Sequence, residues 1–239
     1  MREDNLFMLQ DKTAGKVQNA VFAKLMRSVY LWMVLALVIT GLTAAYIAAS
    51  PGYISALINN SFLFYGVIIA ELAVVFILSG RIHKMSFTTA SLMFILYSLL
   101  TGVSLSTIFL AFSASSIATT FYITAGTFGT MSLIGFVTKK DLTKMGGILF
   151  MALIGLIIAT LVNIFLSSDT LGWIINYVGV LIFVGLTAYD TQKIKQMVRE
   201  YGTDINEQTQ KIALMGSLSL YLDFVNMFLY LLRIFGNRE

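Results

Sequence analysis

The sequence predicts an all-α polytopic membrane protein with seven transmembrane helices, and three observations predict it. Hydrophobic residues make up 58% of 239 and charged residues 12%, with a mean hydropathy of +0.84. That balance lies outside the soluble globular range. Seven apolar runs are each of a length to cross a hydrocarbon core about 30 Å thick. The loops between them alternate between basic and uncharged, as the positive-inside rule requires.

Residues 1–28 are polar and mixed in charge, ending in Lys24 and Arg27. They read as a cytoplasmic N-terminal tail, disordered or interfacial, ahead of a seven-helix domain over residues 29–236. No cleavable signal is evident, because the first apolar stretch follows a long polar segment and is long enough to span. The first span is Val29–Ala49, closed by Ser50-Pro51-Gly52, which holds the chain's one proline. Any break inside the bilayer must then come from glycine or from buried polar side chains.

The second span, Phe62–Leu78, carries Glu71 near its midpoint and ends at Arg81, His83 and Lys84. The third, Thr88–Phe112, places Ser98, Gly102 and Ser106 four residues apart, a small face suited to close helix packing. Ser113–Ser116 leads to the fourth span, Ile117–Val137, and the basic loop around Lys139, Lys140 and Lys144 follows. The fifth span is Met145–Leu166, where Asn163 is expected to bond a neighbour or a loop. The sixth is Trp173–Tyr189. Residues 191–201 lack Pro and are rich in helix formers, so this helix is expected to project beyond the membrane. The seventh span, Lys211–Arg233, closes the chain.

Five Lys and Arg precede the first span, and two, three and four follow the second, fourth and sixth. None follow the first, third or fifth. The rule puts the N-terminus and the basic loops in the cytoplasm and the C-terminus outside. Arg233 and Arg238 are the basic residues on the outer side. The alternative is a six-span chain with a re-entrant last segment.

There is no cysteine, which excludes disulfides, thiol catalysis and Cys-based metal sites. A single histidine argues against zinc. The informative residues are three acids within or beside apolar spans: Glu71, Asp190 and Asp223. At the helical rise Asp223 lies about 18 Å from Lys211 and about 15 Å from Arg233, near the bilayer centre. A lone carboxylate there costs roughly 2.5–3.5 kcal/mol on insertion scales, so it must face protein, water or a cation. Asp190 lies on the preceding helix, and the two acids can meet in the inner half of the membrane. Glu71 either joins them or lines a separate outer cavity. Two carboxylates a hydrogen bond apart cannot both ionise cheaply, so they share a proton or recruit a cation with oxygen ligands. Tyr189, Thr191, Tyr221 and Asn226 supply oxygens nearby. The pair thus reads as a proton-controlled latch and a weak calcium site.

The closing stretch Ser219-Leu220-Tyr221-Leu222-Asp223-Phe224-Val225-Asn226-Met227-Phe228, followed by Leu231-Leu232-Arg233-Ile234-Phe235-Gly236, resembles the last helix of the Bax inhibitor-1 family. This family is also called the transmembrane Bax-inhibitor-motif family. Tyr189-Asp190-Thr191-Gln192 is similar to its other acidic position, and Thr101-Gly102-Val103-Ser104-Leu105 resembles its third-helix pattern. Glu71 falls where a second-helix glutamate is expected. The likeness covers residues 20–236 and is greatest to the bacterial branch. It implies a seventh helix enclosed by the other six, and a pH-sensitive calcium leak with Asp190 and Asp223 as the proton-sensing pair. It also implies an arginine of the second helix latched onto the acid of the sixth. Arg81 is the candidate, one position before the ungapped match at Ile82.

An intramembrane aspartyl protease also carries Tyr-Asp on one helix and Asp on the next. Its Gly-x-Gly-Asp is absent here, where Leu220-Tyr221-Leu222-Asp223 stands, and so is its Pro-Ala-Leu. The sequence therefore predicts a calcium leak channel and not an enzyme, in the inner membrane of a bacterium. Calcium is the transported ion and there is no cofactor. Expected partners are the lipid bilayer, calcium and protons, with no nucleic acid. A membrane-protein partner is left open, and the chain is expected to be a monomer. The alternatives are a proton- or cation-coupled small-solute transporter and a non-conducting regulator or scaffold associated with a membrane protease.

Overall fold

The computed structural model describes residues 2–202 and 204–237, with side chains from residue 17 onward. Helix α1 runs unbroken over Arg2–Ala48. The segment through residue 28, expected as a separate tail, is therefore continuous with the first span, whose apolar part is Val17–Ala48. The reason is burial: Leu25, Val29, Met33, Ala36, Thr40 and Ala44 recur every three or four residues and are all buried.

A short helix that the sequence reading did not anticipate, α2 (Pro51–Asn59), follows, with Pro51 in its first turn. At nine residues it is too short to span, and it buries Ile54 and Leu57. Helix α3 (Ser61–Arg81) is capped by Asn60 and runs into a 3-10 turn, Ile82–Lys84. The expected third span divides into α4 (Phe87–Leu105) and α5 (Ile108–Ala111). At the break Ser106 Oγ donates to the carbonyl of Val103 and Thr107 Oγ1 to that of Ser104, pulling backbone acceptors out of register.

Helix α6 spans Ala114–Val137 and α7 spans Thr143–Leu166, ending at a left-handed Ser167. Asn163 Oδ1 accepts the backbone N–H of Ser168 at 3.1 Å, the loop contact expected of it. Helix α8 (Asp169–Tyr201) has 33 residues, about 50 Å at the helical rise, and so extends past the membrane. Helix α9 (Glu207–Phe235) starts with a reciprocal capping box between Asn206 and Thr209. It is continuous, which leaves no chain reversal for a re-entrant segment. Seven helices are long and apolar enough to cross a membrane.

Helix α9 is the hub. In its most apolar 18-residue window 67% of residues are buried, against 6% for α3 and α7. Its principal neighbours are α8, α1, α6 and α4. The enclosure is thus built mainly by four helices, while α3 packs on α4 and α7 on α8 as an outer layer facing lipid. Small residues set the crossings. A Cβ on Gly102 would meet Thr43 Cβ at 2.6 Å and the Thr40 carbonyl at 2.7 Å, so the small face of α4 seats α1.

Candidate functional site

Leu220, Leu218 and Leu214 of α9 are each buried, and they bind the helix into the bundle by apolar contact. The polar positions of α9 fall elsewhere. Ser219, Asp223, Asn226 and Tyr230 recur at spacings of four, three and four, which places them on one helical face. All four line a cavity of about 710 Å³ between α7, α8 and α9. Asp190 enters the same cavity from α8, together with Tyr189 and Lys193. The two acids singled out by the sequence are thereby brought to one site.

Their surroundings differ. Asp223 is 4% exposed, and its Oδ2 has no hydrogen-bond partner among the described residues. Buried carboxylate oxygens are normally satisfied, and one that is not marks a place for a proton, a water or a cation. Asp190 is half-buried, one turn from the exposed Lys193, whose Nζ lies 5.9 Å from the Tyr189 ring centroid. The Tyr189 ring rests against Gly146 of α7, where a Cβ would collide with it. This glycine lets α7 close the side of the cavity. Asn226 donates through Nδ2 to the Leu222 carbonyl at 2.8 Å. Among the described residues there is no group of three or more His, Cys, Asp or Glu fit to hold a metal.

Three other expected site residues lie apart from the pair. Tyr221 is two positions from Asp223, about 200° around the helix, and therefore faces the opposite side. Its hydroxyl bonds Thr40 and its ring meets Phe94 and Tyr97 edge-on, which corrects its assignment as a neighbour of the acids. Glu71 accepts from Ser104 Oγ of α4 at 2.5 Å and does not line the acid cavity. Arg81 is exposed at the end of α3 and makes no ion pair with Asp190 among the described residues. Ile82, the ungapped match, is buried.

The structure instead ties the loop after α3 to α9 through residues that the sequence reading did not weigh. Lys211 Nζ donates to the Met85 carbonyl at 3.0 Å, and Glu207 Oε1 accepts the Phe87 N–H at 2.9 Å. Lys211 and Glu207 are themselves 3.9 Å apart, one helical turn on the same face. Toward this end of the bundle from Asp223, Ile194, Val198, Leu214 and Leu218 are each buried in the apolar core.

Comparison with known proteins gives a consistent result. The family model described as "Inhibitor of apoptosis-promoting Bax1" matches residues 22–239. The inner membrane protein YbhL of Escherichia coli K12 is 50% identical over 214 residues, covering 90% of this chain and 92% of that protein. An uncharacterized protein of Borreliella burgdorferi is 44% identical, covering 96% of this chain and 98% of its own length. One from Rickettsia prowazekii is 44% identical over 97% of each.

Proposed function

The chain belongs to the Bax inhibitor-1 family, and from that premise we propose that it is a pH-sensitive calcium leak channel of a bacterial inner membrane. The observation that carries the reading is Asp223 Oδ2, buried without a hydrogen-bond partner among the described residues in a cavity it shares with Asp190. In this reading the N-terminus and the basic loops are cytoplasmic. The protein is a transport protein and not an enzyme, acting as a monomer with calcium as its cargo.

The gate follows from like-charge chemistry. A proton shared between Asp190 and Asp223 draws α8 and α9 together beside the buried Ile194, Val198, Leu214 and Leu218. Loss of that proton leaves two negative charges facing one cavity of low dielectric, where repulsion is far larger than in water. The helices then part, or a calcium ion takes the place of the proton. Two carboxylates with the neutral oxygens of Asn226 and Tyr189 give fewer charged ligands than a storage site, which favours exchange over retention. The arginine latch has no part in this gate, because Arg81 is exposed away from the cavity.

The test is calcium flux into liposomes holding the purified protein, over a pH series, beside Asp190→Asn and Asp223→Asn. Asparagine keeps hydrogen bonding and cannot titrate, so each variant is expected to lose the pH dependence. Survival of the wild-type profile in both variants would overturn the pair as sensor. Absence of flux from the wild type at every pH would overturn the pore.

A further inference from the structure

A second feature lies on the opposite side of α9. Helices α1 and α6 both pack on α9 but are not principal neighbours of one another. The gap between them holds two cavities of about 700 and about 610 Å³, which share Met33 and Phe128 as walls and so form one groove. Near one end a hydrogen bond of 2.6 Å between Tyr30 and Ser132 bridges the helices. The floor is Phe224 of α9 with Phe128 of α6, ring centroids 5.4 Å apart.

Two glycines line this groove, Gly41 of α1 and Gly129 of α6, and a Cβ at either would meet nothing within 4 Å. They contrast with Gly102, whose missing Cβ admits a neighbouring helix. These two hold space open, and the space faces the membrane between two spanning helices.

The groove is apolar along nearly all its length, and among its described lining residues the one charged group is Arg27, toward one end. The stretch from Met33 to Leu42 is walled by aliphatic and aromatic side chains, whereas the far end carries Arg27, Tyr30 and Ser132. From Arg27 to Gly41 is fourteen residues of helix, about 21 Å. One leaflet including its headgroups is about 20–22 Å deep, half of a bilayer of about 40–45 Å. An apolar wall of this length with one cation toward its end matches one lipid molecule standing along the groove.

We propose that the groove between α1 and α6 holds one phospholipid of the leaflet on the Arg27 side. An acyl chain lies over Phe128 and Phe224, and the phosphate rests on the exposed Arg27 guanidinium, a planar donor fork suited to phosphate. The Tyr30 hydroxyl, held by the buried Ser132, lies one turn farther along, at the depth of the glycerol esters. Lipid thereby completes the wall of the bundle where protein does not.

The test uses the full chain in vesicles of phosphatidylethanolamine and phosphatidylglycerol doped with phosphatidylethanolamine bearing a diazirine midway along one acyl chain. After illumination, cross-linked residues are mapped by peptide mass spectrometry. The expected result is enrichment at Val38 and Phe121 over outward residues of α3 and α7 such as Phe76 and Ile158. The Gly41→Leu/Gly129→Leu variant fills the open space and is expected to lower groove cross-linking about tenfold, equivalent to about 1.4 kcal/mol of affinity. Its thermal midpoint should stay at or above the wild-type value, because the added side chains enter vacant volume and replace glycine within helices. Arg27→Gln is expected to weaken phospholipid labelling while leaving that of a diazirine-bearing fatty alcohol unchanged. Labelling spread evenly over all outward faces, or unchanged in the filled variant, would overturn the proposal. So would protein–protein cross-links at Val38 and Phe121, which would give the groove to a second copy. None of these readouts depends on calcium flux.

Discussion

The Tyr221 hydroxyl lies 2.7 Å from Thr40 Oγ1, a buried bond between the first and last spanning helices on the side of α9 away from Asp223. Thr40 Oγ1 also donates to the Ser98 carbonyl at 2.9 Å, which joins α4 to the same point. Tyr221→Phe removes one member and leaves the Thr40–Ser98 bond intact. Stability is expected to fall by about 1 kcal/mol, read as a lower thermal midpoint in detergent, and under the proposed gate the pH profile of flux is expected to stay unchanged. A shifted profile would place Tyr221 in the acid network.

Gly135 tests the packing of α6 on α8. A Cβ there would run into the carbonyl oxygen of Ala188, which is backbone and cannot turn aside. Gly135→Ala is expected to destabilise by about 1–3 kcal/mol, as overpacking does. Gly129→Ala on the same helix meets nothing within 4 Å, so it should be neutral or stabilising, by up to about 1 kcal/mol through helix propensity. Thermal unfolding of the two variants side by side decides the matter, and equal midpoints would refute the crossing described.

Glu71 stands apart from the acid pair, hydrogen-bonded to Ser104. Glutamine keeps an oxygen acceptor for that hydroxyl while removing the charge. Under the proposed gate, Glu71→Gln is therefore expected to leave the pH midpoint of calcium flux where it is. Movement of the midpoint would mean that Glu71 titrates with Asp190 and Asp223.

Lys211 holds the turn after α3 by donating to the Met85 carbonyl. Lys211→Met keeps the apolar stem and removes the donor. The expected loss is about 0.5–1.5 kcal/mol. Faster amide hydrogen exchange over residues 82–87 would report it directly, and unchanged exchange there would show that the turn is held by other contacts.

Much of this was legible because bilayer physics acts on simple features. Span number followed from apolar length, and Asp223 stood out because a carboxylate near the middle of an apolar run needs a reason. The Ser219, Asp223, Asn226 face can also be read from its spacing, once α9 is taken as helix. Other features depend on tertiary contacts that a sequence does not display. Nothing in Tyr221 itself says that it turns from Asp223 toward Thr40; only the helical angle does, and proximity in sequence misleads. The break at Ser106 arises from hydroxyls that bond their own backbone, which the same residues do elsewhere without a break, as Ser98 does. Gly102 and Gly129 are the same residue type in similar apolar surroundings. One admits a helix and the other leaves a gap, and only the fold separates them. The Lys211–Met85 contact joins residues far apart in the chain and carries no motif.

The burial of α9 has a further consequence, which concerns time. Of the seven spanning helices it is the last to leave the ribosome, yet four others pack against it. Translation proceeds at about 5–20 residues per second and domains usually begin to fold from the N-terminal side. Here the earlier helices can insert in order, but the bundle has no centre until α9 arrives. Until then the groups that bond α9, Thr40 Oγ1 for Tyr221 and the Val29 carbonyl for Ser217, face a vacancy in the membrane. The α1–α4, α3–α4, α6–α8 and α7–α8 contacts can form earlier, and the closing of the bundle around its centre is expected to come last.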